Sequence, residues 1–154
     1  MLKTILGFIL GGMTAFFLGL FILPQKVELI RFVDIESRPE KVWQHIVDVK
    51  AWDAWDPWEG KAQGDKRPWK EGQLSIHSVD PDKQEIVYKI DAREGEGDIS
   101  LAVKPAQEGT VLRWRHSYVG GYWPWDRVPN WLNRSSLSLQ LDEGLKKLKK
   151  EVEK

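Results

Sequence analysis

Hydrophobic residues fall along this chain in three rhythms, and each rhythm predicts a kind of element. Ile5 to Leu23 (ILGFILGGMTAFFLGLFIL) is a 19-residue run without a charged side chain, bounded by Lys3 and by Pro24-Gln25-Lys26. At about 1.5 Å per residue such a run just crosses a hydrocarbon core roughly 30 Å thick, so it predicts an N-terminal transmembrane helix. A cleaved signal peptide fits less well: its apolar core is shorter, about 7–15 residues, and no small-x-small cleavage site follows Leu23. Gly7 and Gly11 make a G-x-x-x-G pair, a weak signal for close helix approach.

The second rhythm is alternation. Val27 to Ile35 (VELIRFVDI) is rich in β-branched and apolar residues and predicts a strand. Further on, four segments alternate with period two. Leu74, Ile76 and Ser78 share one face of the first, and Ile86, Tyr88 and Ile90 one face of the second. Ile99, Leu101 and Val103 share one face of the third, and Leu112, Trp114, His116 and Tyr118 one face of the fourth. The short connections at Asp80 to Lys83, Glu94 to Gly97 and Glu108-Gly109 predict antiparallel neighbours. Gly60 to Gly72 predicts a loop or an irregular edge strand.

The third rhythm is helical. Ser37-Arg38-Pro39-Glu40 predicts a helix start with a capping box, and Val42, Trp43, Ile46 and Val47 supply a buried face. Trp52, Trp55 and Trp58 predict a short second helix ending at Pro57. Leu137, Leu141, Leu145, Leu148 and Val152 recur at helical spacing and predict a long C-terminal helix. Gly144 inside it costs about 1 kcal/mol relative to Ala, which predicts close approach to the sheet. Between the last strand and this helix, GGYWPWDRVPNW breaks the regularity.

A curved antiparallel sheet that covers one long helix gives an α+β architecture with an interior cavity. The domain expectation is a membrane anchor at residues 1–26 and a folded domain at residues 27–154. Composition sharpens this in three ways. Downstream of Pro24 the chain carries 22 Lys plus Arg and 23 Asp plus Glu, so no broad positive field draws nucleic acid. The chain has no cysteine, which excludes disulfides, thiol catalysis and cysteine-ligated zinc. It has nine tryptophans, all downstream of the apolar run.

Four places resemble the START-like, helix-grip (SRPBCC) superfamily of polyketide cyclases, aromatases and lipid-transfer domains. Ile35 to Trp43 resembles its first strand entering its first helix. Asp48 to Trp58 resembles its aspartate-then-tryptophan segment. Gly109-Thr110-Val111-Leu112-Arg113-Trp114 resembles its Gly-Thr-x-x-x-Trp strand, and Glu143 to Lys149 the end of its last helix. The resemblance covers Val27 to Lys154. It implies a helix-grip fold that holds an apolar or amphipathic small molecule between sheet and helix. The membrane anchor and the GGYWPWDRVPNW insert depart from the soluble cyclase pattern.

Three readings of function follow. The first is a membrane-tethered binding module for a lipid or other apolar small molecule. Tyr88, Leu101, Leu112, Trp114, His116 and Tyr118 would line its cavity, and the Trp-rich segments, Trp55 and Trp123 among them, would gate it. The second is a polyketide cyclase or aromatase-type enzyme using His116, Asp48 or Asp53 as acid or base. The third is an envelope interaction protein whose cavity tryptophan closes and whose surface meets a protein partner. No catalytic constellation, phosphate loop, dinucleotide fingerprint or metal-ligand spacing is visible, so no cofactor, metal or catalytic residue is assigned and the first reading is preferred. The basic start favours export of the domain, whereas Lys26, Arg31, Arg38 and Lys41 favour the cytoplasmic side. The expectation is a single-pass membrane protein with its domain on the exported, periplasmic side.

Overall fold

A computed structural model describes residues 2–58, 60–69, 72–92 and 95–154, the side chains of Leu2, Lys3, Leu6, Pro124 and Asn130 excepted. Six strands form one sheet in the order β1-β6-β5-β4-β3-β2, and every neighbouring pair is antiparallel. The strands are β1 (Lys26–Ile35), β2 (Lys66–Trp69), β3 (Gly72–Asp80), β4 (Glu85–Ala92), β5 (Gly95–Ala106) and β6 (Gly109–Gly120). The helices are α1 (Leu2–Leu20), α2 (Pro39–Val47) and α3 (Pro124–Val152), with a 3-10 turn at Ala51–Ala54. The α+β arrangement of antiparallel sheet and long C-terminal helix is the one the alternation and the C-terminal stripe predict, and it agrees with the helix-grip fold that the resemblance implies.

The inner face of the sheet is read directly from period two. Ile86, Tyr88 and Ile90 of β4, Ile99, Leu101 and Val103 of β5, and Leu112, Trp114 and His116 of β6 are all buried. The stripe of α3 from Leu137 to Val152 covers them and is buried along its whole length. Arg31 of β1 ties the helix to the sheet edge by pairing with Asp142 at 3.0 Å and donating to Ser138.

Several local expectations change. The helix α2 begins one residue later than a Ser37 cap requires: its N-cap is Arg38, without a side-chain bond, and Pro39 opens the first turn. The carbonyl of Ser37 instead accepts the Thr110 hydroxyl at 2.6 Å, which fastens the turn to β6. The expected second helix is a single 3-10 turn, because Pro57 disfavours helical geometry at Asp56. Beyond Leu74, β3 leaves the core: the register shifts between Ile76 and Ser78, and Ile76 and Val79 are exposed.

Gly95-Glu96-Gly97, expected as a turn with Glu94, belongs to β5; Glu94 lies outside the described residues. These glycines make room for a ring. A Cβ at Gly95 would meet the Tyr118 hydroxyl at 2.8 Å, and one at Gly97 the Tyr118 ring at 3.1 Å. At Gly144 a Cβ would come within 2.8 Å of Pro57 and 3.4 Å of the Trp114 ring, so α3 approaches the Trp-rich segment first and the sheet second.

The apolar run behaves differently from the expectation of one continuous spanning helix. α1 ends at Leu20, and Phe21, Ile22 and Leu23 continue as a tighter turn whose N–H groups bond the carbonyls of Leu18, Gly19 and Leu20. Pro24 has no N–H to extend the ladder and disfavours helix at Leu23. Among the described residues no helix is long and apolar enough to cross a membrane. The side chains of α1 are nonetheless turned outward along its length: Phe8, Leu10, Phe16 and Leu18 are each exposed by more than half.

Candidate functional site

The space between the sheet and α3 is occupied by aromatic rings from four parts of the chain. β4 supplies Tyr88, and β6 supplies Trp114, His116 and Tyr118. The segment after α2 supplies Trp52, Trp55 and Trp58, and the edge strand β2 supplies Trp69. Trp114 stands at the centre, with ring centroids 6.1 Å from Trp52, 5.7 Å from Trp55 and 5.8 Å from Trp58. Trp52 also meets Trp55 at 4.5 Å and Tyr88 at 4.8 Å. On the other side Trp69 meets Trp58, His116 and Tyr118 at 6.1, 5.9 and 5.7 Å. These are tilted and edge-to-face contacts at van der Waals range, the geometry ring quadrupoles favour.

The polar tips of these rings explain why the segment folds back under the sheet. The end of a helix leaves carbonyls without intrahelical donors. At the end of α2, Ile46 O accepts Trp52 Nε1–H at 3.1 Å and the Tyr88 hydroxyl at 2.6 Å, and His45 O accepts Trp55 Nε1–H at 3.3 Å. Trp58 Nε1–H reaches Gln140 Oε1 of α3 at 3.1 Å. Burial pushes the Tyr88 phenol well above its usual range, so it stays a donor. Trp114 differs: its Nε1–H is buried and has no hydrogen-bond partner among the described residues.

A buried cation closes one end of the array. Arg67 of β2 is only 2% exposed and pairs with Asp53 and Asp56, while donating also to Gly60 O. Asp56 further accepts the Trp58 backbone N–H at 2.9 Å. The Arg67 hydrogen bond holds the Asp53 carboxyl below its ordinary range. Asp56 moves the other way, because burial outweighs the pull of the Trp58 N–H and of Arg67. Sequence reasoning missed Arg67. The one signal was a pair of aspartates three apart beside tryptophans; Asp56, which is buried among them, requires a cation.

Of the eight residues expected at the site, Tyr88, Leu101, Leu112, Trp114, His116, Tyr118 and Trp55 come together in this interior and are buried. Trp123 lies apart, more than half exposed and stacked on Trp125 at 5.1 Å. The acids of the enzyme reading are engaged elsewhere: Asp48 accepts the Lys50 N–H at 2.8 Å and Asp53 pairs with Arg67. Among the described residues no group of His, Cys, Asp and Glu could hold a metal ion. A separate hollow of about 410 Å³ lies on the outer face of the sheet, walled by His77, Lys89, Glu96 and Asp98 among others.

Solved structures share this fold at low identity. A protein of Bacillus halodurans superposes with a TM-score of 0.64 at 13% identity, covering 84% of this chain and 99% of that one. The Zhui aromatase/cyclase from a Streptomyces species gives a TM-score of 0.60 at 15% identity, covering 83% and 94%. A protein of Chromobacterium violaceum gives 0.58 at 17% identity, covering 85% and 99%. No match is found among curated proteins. Residues 26–153 match the family described as polyketide cyclase / dehydrase and lipid transport, and the chain belongs to that family.

Proposed function

We propose that the chain is a membrane-tethered module that binds an apolar small molecule or lipid between the sheet and α3. The observation that carries the reading is the make-up of that interior. Trp114 sits under α3 in a ring of tryptophans, with a buried N–H that has no partner among the described residues. A buried donor of this kind calls for an acceptor, and in an apolar surround a ligand with one carbonyl or ether oxygen supplies it. Entry requires the rings to turn aside, since their centroids lie only 4.5 to 6.1 Å apart. Family membership points to the same ligand class.

In this reading residues 1–26 are the tether and 27–154 the binding domain. A helix apolar on all sides belongs in a protein core or in lipid, and α1 is not covered by the domain. Ile5 to Leu20 spans about 24 Å as a helix. The 3-10-like turn through Leu23 adds about 6 Å, which together approaches the roughly 30 Å of a bilayer core. The reading puts the domain on the exported side, which the basic start of the chain, Lys3 before the apolar run, favours.

The contact packing of the rings favours one other reading, a closed domain that works through its surface. Native mass spectrometry of the full-length protein in mild detergent, followed by organic extraction, separates the two. The binding reading expects a defined apolar molecule, held several-fold more weakly by Trp114→Phe, which keeps an aromatic ring, though a smaller one, but removes the N–H. An empty domain that takes up no lipid rejects it in favour of the closed one.

A further inference from the structure

The interior uses five of the nine tryptophans; three of the others are exposed together near the junction with α1. Tyr122, Trp123, Trp125, Trp131 and Leu132 are each more than half exposed, Tyr122 by 75%. Trp123 and Trp125 stack within 5° of parallel, and Tyr122 meets Trp123 edge-on at 5.9 Å. Trp125, Leu132 and Leu139 are seven residues apart on α3, which puts them on one face of the helix, opposite the Leu137 stripe. The first half of α3 therefore carries an apolar stripe turned away from its own core.

This surface is fastened to the end of the tether. Arg127 of α3 donates to Phe21 O at 2.9 Å and to Leu23 O at 3.2 Å, and its guanidinium lies 5.7 Å over the Phe21 ring. It reaches Tyr122 O as well, at 3.5 Å. Thus one cation caps the negative end of α1, where the helix has no basic residue of its own, and holds the aromatic loop beside it. Gln25 and Gly120 bond each other across the base of the sheet, Gly120 N to Gln25 O at 3.1 Å, so little slack separates the domain from α1.

We propose that Tyr122, Trp123, Trp125, Trp131 and Leu132 form a collar that seats the domain in the headgroup region of the bilayer entered by α1. The inference rests on the tether reading above. Its occupant is lipid because the collar is continuous with α1 and its chemistry is interfacial. Indole and phenol rings with a polar tip, beside an arginine, favour the boundary between hydrocarbon and water. Arg127 is the positioning residue.

The chain has no cysteine, so single nitroxide labels can be placed cleanly. The test uses the full-length protein in phosphatidylcholine vesicles with a minority of phosphatidylglycerol, labelled in turn at Trp131→Cys, Leu132→Cys, Phe16→Cys and the exposed strand position Lys104→Cys. Relaxation by a water-soluble nickel chelate is compared with relaxation by oxygen. The expected result is several-fold protection from nickel at 131 and 132 relative to 104, with the deepest label at 16. Protection at 16 alone, with 131 and 132 as accessible as 104, overturns the collar and leaves the tether standing. Accessibility at 16 equal to that at 104 overturns both. Dipolar broadening between labels at 132 of two molecules also overturns the collar, by assigning this face to a second copy.

Discussion

Eight of the nine tryptophans divide into two populations that obey different rules, Trp43 being half-buried against the core. Trp52, Trp55, Trp58, Trp69 and Trp114 are buried between sheet and helix, whereas Trp123, the N-cap of α3, and Trp125 and Trp131 on its first turns stand in the open. The side chain is the same; the backbone around it is not. In the interior, period-two strands and the end of α2 provide a concave apolar face together with carbonyls for the indole N–H groups. At the start of α3 the rings turn outward, and Arg127 beside them bonds the end of α1, at Phe21 O and Leu23 O, rather than the core. An aromatic residue thus belongs to the core or to the surface according to whether the fold supplies an apolar wall to cover it.

The sharpest way to break this comparison is to truncate one member of each set. Trp114→Ala should destabilise the domain by about 3–5 kcal/mol, the usual range for removing a buried tryptophan. Trp125→Ala should change stability by less than about 0.5 kcal/mol, as exposed substitutions do. Denaturant titration of the full-length protein in detergent measures both. Equal losses would mean that the collar is part of the fold.

The Arg67 clamp belongs wholly to the interior. Arg67→Met should cost about 3 kcal/mol or more by leaving Asp56 buried without its cation. Adding Asp56→Leu should restore much of that loss, since an uncompensated charge rather than lost packing is the main penalty. Failure of the second change to rescue would assign Arg67 a packing role.

Gly144 tests how tightly α3 is seated on the aromatic array. Alanine normally strengthens a helix relative to glycine by about 1 kcal/mol. Here its Cβ would meet Pro57 at 2.8 Å, so Gly144→Ala should instead destabilise by about 1–2 kcal/mol, the usual cost of overpacking. A gain in stability would show that the loop carrying Pro57 yields freely.

How far these features were legible depended on whether they repeat. The faces of β4, β5 and β6 and the Leu137 to Val152 stripe were readable because three to five residues vote for each register. Features resting on one residue were not. Gly95-Glu96-Gly97 carries turn residues, yet it pairs in β5, where a Cβ at either glycine would first meet a β6 carbonyl, of Val119 or Ser117, and then Tyr118. Ser37 matches a cap, but its carbonyl is taken by Thr110, a residue far away in sequence. The burial of Tyr88, Leu101, Leu112, Trp114 and His116 on the inner face of the sheet was readable from alternation. Neither the partners that make them a packed array, Trp58 and Trp69, nor the outward turn of Trp123 could be read without knowing where Arg67 and Arg127 reach.

The smallest expected effect is the dependence of stability on pH, and it separates the two aspartates of the clamp. Asp53 has a folded pKa below its ordinary value, so the stability it contributes is present above about pH 4 and is lost as pH falls through the lowered value. Asp56 has a folded pKa above its ordinary value, so the folded state takes up its proton first. Its ionisation therefore opposes folding near neutrality, and stability rises as pH drops from that raised value towards about 4. The two contributions change in adjoining windows with opposite sign. Denaturant midpoints followed between about pH 3 and 7 should show Asp56→Asn removing the rise and Asp53→Asn weakening the fall relative to the unsubstituted protein. Identical profiles for the two variants would mean that Arg67 shares its charge evenly between them, and that the difference in burial between Asp56 and Asp53 does not govern their protonation.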